Sequence, residues 1–84
     1  MFEISFDSRA LKDLQTIPRQ SALLLSKVLA IMEGNPFAPE LRVKKLEDPL
    51  VGYRVRKGDY RILFEVVGKK VFVYAIRHRK DAYR

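Results

Sequence analysis

The sequence predicts an α+β fold in which two N-terminal helices pack on one face of a mostly antiparallel sheet, in the order β-α-α-β-β-β. Three observations lead to this fold class. Residues 1–35 contain an alternating apolar segment followed by two segments with helical spacing of apolar residues. Residues 53–78 contain three apolar segments separated by short glycine-containing turns. The chain has 84 residues and no internal repeat, so we expect a single domain over residues 1–84.

The first strand and the first helix are predicted within residues 2–16. The stretch FEISF alternates apolar and polar residues, as a half-buried strand does. Asp7 or Ser8 can then cap a helix, because either side chain accepts a hydrogen bond from a free N–H of the first turn. Leu11 and Leu14 give this helix a narrow apolar stripe, so it should be short and buried along one side.

A second, longer helix follows the break at TIPRQ. Pro18 is predicted as its first residue, where the missing N–H carries no penalty. Gly34 and Asn35 end the helix, and Pro36 prevents its continuation. A broad core-facing stripe is predicted from the residues at helical spacing, which are Leu24, Leu25, Val28, Leu29, Ile31 and Met32.

The remaining strands are predicted between residues 42 and 78. RVKKL is a short extended segment, and three strands follow, with the sequences YRVR, YRILFEV and VFVYAIR. The turns between them each contain the glycine that a tight hairpin favours. We place these two-residue turns at Lys57–Gly58 and Gly68–Lys69.

The first hairpin gathers arginines on one face of the sheet. A turn at Lys57–Gly58 places Arg54 opposite Arg61, and the alternation of the strand adds Arg56 to the same face. Opposed like charges destabilise a strand pair by up to about 1 kcal/mol. A bound phosphate would turn this destabilisation into a stabilisation, because guanidinium forks donate paired hydrogen bonds to the phosphate. We therefore favour a phosphate-binding face over a solvated face whose arginines only improve solubility.

The second hairpin extends this face with aromatic residues. Its turn places Arg61 opposite Ile76, and the alternation adds Phe72, Tyr74 and His78 to the arginines. Aromatic rings beside cations form a surface on which bases stack while phosphates are held. The alternative for Phe72 and Tyr74 is simple pairing across the strands.

Charge and composition indicate the partner and the setting. The net charge is +7; residues 1–40 carry four Lys or Arg against five Asp or Glu, whereas residues 41–84 carry thirteen against five. The second half is therefore suited to a polyanion. The sequence contains no cysteine, no apolar run near the roughly 20 residues that span a bilayer, and no signal-peptide pattern at its start. We expect a cytoplasmic protein without a membrane partner.

The segment AIRHRKDAYR at residues 75–84 concentrates the remaining reactive groups. His78 lies between Arg77 and Arg79, whose charges favour the neutral imidazole that can accept a proton. Tyr83 follows four residues after Arg79. One histidine without cysteine argues against a metal site, and the sequence has no Gly-rich phosphate loop or nucleophile motif. We expect no metal and no cofactor.

The hairpin GYRVRKGDYRILFEV and the segment VYAIRHRKDAYR, preceded by a strand and a helical hairpin, resemble the RelE/ParE superfamily of type II toxins, and most closely its RelE side. This resemblance implies a metal-independent endoribonuclease that enters the ribosomal A site and cuts messenger RNA. The RNA 2′-hydroxyl would be the nucleophile, leaving a 2′,3′-cyclic phosphate and a 5′-hydroxyl. The implied partners are the ribosome with mRNA in its A site and a RelB-like antitoxin, with which such toxins form assemblies such as heterotetramers.

The resemblance also implies roles for particular residues. Arg61 matches an arginine that clamps the scissile phosphate, and Arg79 matches a basic residue near the chain end with a similar role. Tyr83 matches a C-terminal tyrosine that stacks on or orients the substrate or takes part in proton transfer. Arg54 and Arg56 stand where the best-described RelE enzyme carries lysines, and arginine effectively cannot give up its proton to act as a base. The general base is then His78 or Tyr83, or none is needed.

Around these catalytic candidates we predict an RNA-binding surface formed by Lys44, Lys45, Lys57, Tyr74, Arg77 and Lys80.

Two other functions suit the same fold, since a fold does not fix an activity. One is inhibition of DNA gyrase, as in ParE-like toxins, and the other is non-catalytic binding of RNA or antitoxin.

Overall fold

The computed structural model describes residues 1–81 and has the predicted order of elements. One short strand and two 3-10 turns are added to that order. The helices and strands are β1 (Glu3–Phe6), α1 (Ser8–Thr16), α2 (Arg19–Gly34), β2 (Lys44–Lys45), β3 (Tyr53–Lys57), β4 (Tyr60–Val67) and β5 (Lys70–His78), with 3-10 turns at Pro39–Leu41 and Arg79–Asp81.

The five strands form one sheet in the order β1-β5-β4-β3-β2. Strand β1 pairs parallel with β5, whereas the other three pairs are antiparallel. The expectation of a mostly antiparallel sheet with helices on one face is therefore confirmed. β4 and β5 lie in the interior of the sheet, so functional side chains on them have neighbours on both sides.

The core lies between the helices and one face of the sheet. On α2, the core residues are Leu25, Val28 and Met32, which are at most 4% exposed. On the sheet, they are chiefly Phe64 and Ile62. The predicted stripe on α2 is thus only partly buried, because a helix turns only one side toward the sheet on which it packs. The remaining apolar side chains of α2 that face outward are Leu23, Leu24 and Ile31.

The helix starts differ slightly from prediction. Asp7 is the N-cap residue of α1, but its side chain makes no capping hydrogen bond. Pro18 is the N-cap of α2 and not its first residue, because its ψ of 146° is extended. The predicted end of α2 is confirmed: the Asn35 N–H donates to the Ile31 carbonyl at 3.0 Å.

The register of the first hairpin differs from prediction by two residues. The turn is Gly58–Asp59, so Arg61 pairs with Arg56 and Arg54 pairs with Leu63. Gly58 has φ +59° and occupies the first central position, which a II′ turn reserves for glycine. The predicted turn would have placed Lys57 there. A shift of two residues preserves the faces, so Arg54, Arg56 and Arg61 still share one face, as predicted.

The second hairpin has the predicted turn at Gly68–Lys69, but a β-bulge interrupts its ladder. Phe64 pairs with Val73 and Leu63 pairs with Ala75, which leaves Tyr74 as the extra residue. Beyond the bulge, Arg61 pairs with Arg77 and not with Ile76.

The bulge also overturns two predicted side-chain placements. Ile76 pairs with Ile62 and is 5% exposed in the core, and His78 pairs with Tyr60 on the helix side of the sheet. The prediction that Ile76 and His78 join the arginines is therefore wrong. Phe72 pairs with Glu65 on the outer face, as predicted. None of the helices within residues 1–81 is long and apolar enough to cross a membrane.

Candidate nucleic-acid interface

Four arginines lie on the outer face of the sheet, opposite the helices, and form what we call the arginine face: Arg54, Arg56, Arg61 and Arg77. Arg61 occupies its centre, with Arg56 directly opposite on one neighbouring strand and Arg77 directly opposite on the other. It is 8% exposed, whereas Arg56 belongs to the exposed residues. Three cationic side chains in one row across three strands repel one another unless an anion or carboxylate lies among them.

A cavity of about 390 Å³ opens on this face, and we call it the basic cleft. Among residues 1–81, its lining contains five cationic side chains and a single carboxylate, together with apolar walls. The lining residues are Lys44, Lys45, Leu46, Glu47, Leu50, Arg54, Arg61, Leu63 and Arg77. A concave site with one dominant charge and low-dielectric walls concentrates the field of its cations. The cleft is therefore suited to an anionic ligand.

The burial of Arg61 affects what it can contribute in the cleft. Arg61 as a whole is 8% exposed, and hydrogen bonds that a side chain donates in a poorly solvated environment are stronger than those in water. Leu63, at 6% exposure, follows two residues along the same face. Arg61 can therefore hold a phosphate oxygen more firmly than an exposed arginine could.

The loop at residues 46–52 forms one wall of the cleft. One hydrogen bond joins its two ends, and another ties it to β5. The Leu46 N–H donates to the Gly52 carbonyl at 2.9 Å, and the Tyr74 hydroxyl donates to the Val51 carbonyl at 2.8 Å. Gly52 has φ +99°, and a Cβ there would collide with the Phe64 carbonyl oxygen. The loop can approach the sheet this closely only because residue 52 is glycine.

Tyr74 thus has a structural contact that the sequence did not predict. Burial raises the pKa of its phenol, the nearby Glu65 carboxylate raises it further, and Arg77 opposes the shift. The phenol therefore stays protonated and keeps donating to Val51. Its predicted role in RNA binding would have to use the ring, since the hydroxyl is engaged.

His78, the last residue of β5, lies on the other side of the sheet. The His78 ring contacts the Tyr60 ring edge-on, with centroids 5.2 Å apart, and its Nδ1 accepts a hydrogen bond from the Lys80 N–H at 3.1 Å. His78 lines a small cleft with Arg9 and Asp13 of α1. The structure does not place His78 in the basic cleft.

Arg79 is tied to the first hairpin. Its N–H donates to the Asp59 carbonyl at 2.7 Å, and its Nε lies 3.7 Å from Asp59 Oδ1. Both side chains are more than 60% exposed, so this ion pair contributes little to stability. Lys80 is exposed beside it, and Tyr83 lies outside the described residues.

The other predicted RNA-binding lysines divide between two clefts. Lys44 and Lys45 line the basic cleft, whereas Lys57 lines a groove of about 610 Å³ between α2 and β3. Lys44 and Arg54 line both cavities, so a continuous basic edge joins them. Lys57 pairs with Tyr60 on the helix side, so it is apart from the arginine face.

Sequence reasoning missed Glu47 and Leu50 as cleft residues. Proline and glycine in EDPLVG indicate a loop, but nothing in the local pattern shows that it folds over the outer face. The contact that holds it there joins residues 23 positions apart.

Comparison with known proteins points to one family. The family model for the ParE toxin of the type II toxin-antitoxin system, parDE, matches residues 4–83. Toxin RelE3 of Methanocaldococcus jannaschii is 26% identical over 83 residues, which cover 96% of this chain and 94% of that protein.

Two solved structures from archaea have the same fold. The RelE–RelB complex from Pyrococcus horikoshii matches with a TM-score of 0.81 and 27% identity, over 96% of this chain and 98% of that one. The RelB–RelE antitoxin–toxin complex from Methanococcus jannaschii matches with a TM-score of 0.78 and 28% identity, over 93% of each chain. Since the family model spans nearly all of the sequence, this chain belongs to the ParE toxin family of type II toxin–antitoxin systems, within the RelE/ParE superfamily.

Proposed function

We propose that this toxin is a ribosome-dependent endoribonuclease that cleaves messenger RNA in the A site. The observation that carries the proposal is the row of Arg56, Arg61 and Arg77 across three strands, with Arg61 buried at its centre. RNA supplies phosphates at a regular spacing, and guanidinium forks bind them through paired hydrogen bonds.

The proposed reaction is attack of a ribose 2′-oxygen on the adjacent phosphorus. A bond forms between the 2′-oxygen and phosphorus, and the bond from phosphorus to the 5′-oxygen breaks, leaving a 2′,3′-cyclic phosphate and a 5′-hydroxyl. One proton leaves the 2′-hydroxyl and one reaches the departing 5′-oxygen. The protein must hold these atoms in line and stabilise the charge that builds on the phosphoryl oxygens.

In this proposal Arg61 holds the scissile phosphate. Arg77 and Arg56, on the two flanking strands, neutralise its developing charge, and Arg54 and the cleft lysines hold neighbouring phosphates. Arg79 and Tyr83 act from the segment after β5, as the family resemblance implies. The arginines provide the positive charge that a metal would otherwise supply, so we propose that neither metal nor cofactor takes part.

A RelB-like antitoxin is the proposed protein partner, because the two matched archaeal structures are complexes of RelE with RelB. The outer sides of the helices carry exposed apolar residues suited to such a partner, namely Leu11, Leu23, Leu24 and Ile31. Hydrogen exchange with and without the antitoxin tests this contact. Protection confined to residues 52–81, with none in α1 or α2, would count against it.

Inhibition of DNA gyrase is the second candidate, because the matching family model carries the ParE name. Induced expression followed by mapping of mRNA 5′ ends separates the two activities. Cuts between the second and third codon positions of translated messages support the endoribonuclease. Intact messages together with broken DNA support gyrase inhibition, and neither lesion indicates a non-catalytic binding protein.

A further inference from the structure

His78 is the single histidine of the chain, and it lies away from the basic cleft. It pairs with Tyr60, whose ring packs against the core from the helix side of the sheet. Arg9 and Asp13 of α1 face it across a small cleft. Arg77 lines both this cleft and the basic cleft, whereas His78 lines the cleft beside α1 and not the basic cleft.

The His78 side chain instead forms a local backbone contact. Its Nδ1 accepts a hydrogen bond from the N–H of Lys80, two residues later, at 3.1 Å. An Asn or Asp side-chain oxygen makes the same bond to the backbone two residues on in an Asx turn. The histidine therefore acts as the cap of the 3-10 turn Arg79–Asp81.

Two further contacts fix the same turn. The Arg79 N–H donates to the Asp59 carbonyl at 2.7 Å, which ties the turn to the tip of the first hairpin. The Tyr60 ring meets the imidazole nearly at a right angle, at 5.2 Å between centroids, and limits how it can rotate. The direction in which the chain leaves β5 is thus set by His78, Tyr60 and Asp59.

This geometry occupies the imidazole nitrogens. When Nδ1 accepts from a backbone N–H, the neutral ring carries its proton on Nε2. Neither nitrogen then has a lone pair available for a substrate proton. The ring could act as a base only by giving up its bond to Lys80.

From these contacts we infer that His78 is a positioning residue and not the general base. Its Nδ1 caps the turn after β5 and so orients Arg79, the first residue of that turn, toward the substrate. The inference rests on the proposed RNA cleavage for its functional consequence, but the cap itself is a property of the folded chain.

Three substitutions at this position separate the two roles. His78→Asn keeps an acceptor at the position of Nδ1, His78→Gln moves the acceptor one atom further out, near the position of Nε2, and His78→Ala removes it. All three lose the ring contact with Tyr60, so they are matched in that respect. None of the three can act as a base.

Single-turnover cleavage of mRNA on programmed ribosomes gives the functional result. We expect the Asn variant to cleave within about threefold of the wild-type rate and the Ala and Gln variants to fall at least tenfold. An Asn variant as slow as the Ala variant would overturn the inference, because the cleavage rate would then not depend on an acceptor at the position of Nδ1. Wild-type cleavage by the Ala variant would also overturn it.

Amide hydrogen exchange followed by NMR tests the cap without any RNA. The Lys80 amide should exchange slowly in the wild-type and Asn proteins and at least tenfold faster in the Ala protein, with the Ile62 amide in the sheet as the internal reference for folding. Unchanged Lys80 exchange in the Ala protein would overturn the inference. If the wild-type protein cleaves no RNA, the proposed function fails while this exchange pattern still decides the role of His78.

Discussion

Arg61 lies directly opposite Arg77 in the β4–β5 pair, although the turn of that hairpin would have placed Ile76 there. The bulge at Tyr74 makes the difference, because one extra residue shifts every later pair by one position. The same shift moves His78 to the helix side. One irregularity in β5 thus both completes the row of arginines and removes the histidine from it.

Arg61→Ala should abolish growth inhibition by the induced toxin. The loss of a preorganised donor at a developing charge lowers the rate by about 10²–10³-fold. Arg61→Lys keeps the charge and most of the stem but not the fork, so it should fall between the wild type and Ala. Lys12→Ala removes an exposed charge from α1 and is the matched control.

Antitoxin binding by the Arg61 variants shows whether they are folded. Retained binding with lost toxicity fits a catalytic role. Full toxicity in a well-expressed Arg61→Ala protein would refute the assignment.

Arg77→Ala should weaken RNA binding mainly through charge. Each phosphate contact on a single strand contributes about 0.7 to the slope of log affinity against log salt concentration. We expect the slope to fall by about that amount, measured by fluorescence anisotropy with an RNA that carries a 2′-deoxy sugar at the cleavage site. An unchanged slope would place Arg77 outside the contact surface.

Gly52→Ala should destabilise the protein strongly. The new Cβ meets the Phe64 carbonyl oxygen, and φ of +99° is unfavourable for alanine. Gly68 also has positive φ, but a Cβ there meets nothing, so Gly68→Ala isolates the conformational penalty of about 1–3 kcal/mol. Thermal unfolding should show a lower midpoint for Gly52→Ala than for Gly68→Ala. Equal midpoints would mean that the close approach of the loop is not maintained in solution.

Tyr74→Phe should loosen the loop at residues 46–52. Losing the hydrogen bond to Val51 costs about 0.5–1.5 kcal/mol. Faster hydrogen exchange of the backbone amides in this loop, with unchanged exchange in the sheet, would show that the loop has loosened. Equal exchange rates in the two proteins would contradict the contact.

The same variant has a pH signature. Burial raises the Tyr74 pKa above its ordinary value of 10.0, so the folded state holds this proton more tightly than the unfolded state. That stabilisation is complete below pH 10 and is lost as the pH rises through the folded-state pKa. The Phe variant should therefore lose less stability above pH 10 than the wild type, as measured by urea unfolding. An equal or larger loss would be inconsistent with a partly buried phenol whose pKa is raised.

Tyr83→Phe and Tyr83→Ala separate stacking from proton transfer. A phenyl ring keeps base stacking, worth about 1–3 kcal/mol, but lacks the hydroxyl. We expect the Phe variant to lose about 10²–10⁴-fold in single-turnover rate with little change in binding, because few other groups here can move a proton. Near wild-type cleavage by Phe, with none by Ala, would instead assign Tyr83 to stacking alone.

The sequence predicted that Arg54, Arg56 and Arg61 share a face, but not that Arg77 joins them or which residues they meet. Period-two alternation decides the face, and a register shift of two residues leaves it unchanged. The pairing depends on which residue takes the positive-φ position of the turn, and Gly58 takes it in place of Lys57.

The bulge and the cleft wall depend on longer-range contacts. Tyr74 bonds to Val51 across 23 residues, and Ile76 packs in the core, so the shift in β5 reflects tertiary contacts and not local propensity. The same is true of the loop that carries Glu47 and Leu50 to the cleft. No local sequence pattern encodes these contacts.

Cleavage of a defined mRNA on purified, programmed ribosomes tests the central claim most directly. The wild-type toxin should cut once within the A-site codon, between its second and third nucleotides, and yield a 2′,3′-cyclic phosphate and a 5′-hydroxyl, whereas Arg61→Ala should leave the message intact. An intact message with the wild-type protein, or equal cleavage by Arg61→Ala, would contradict the account.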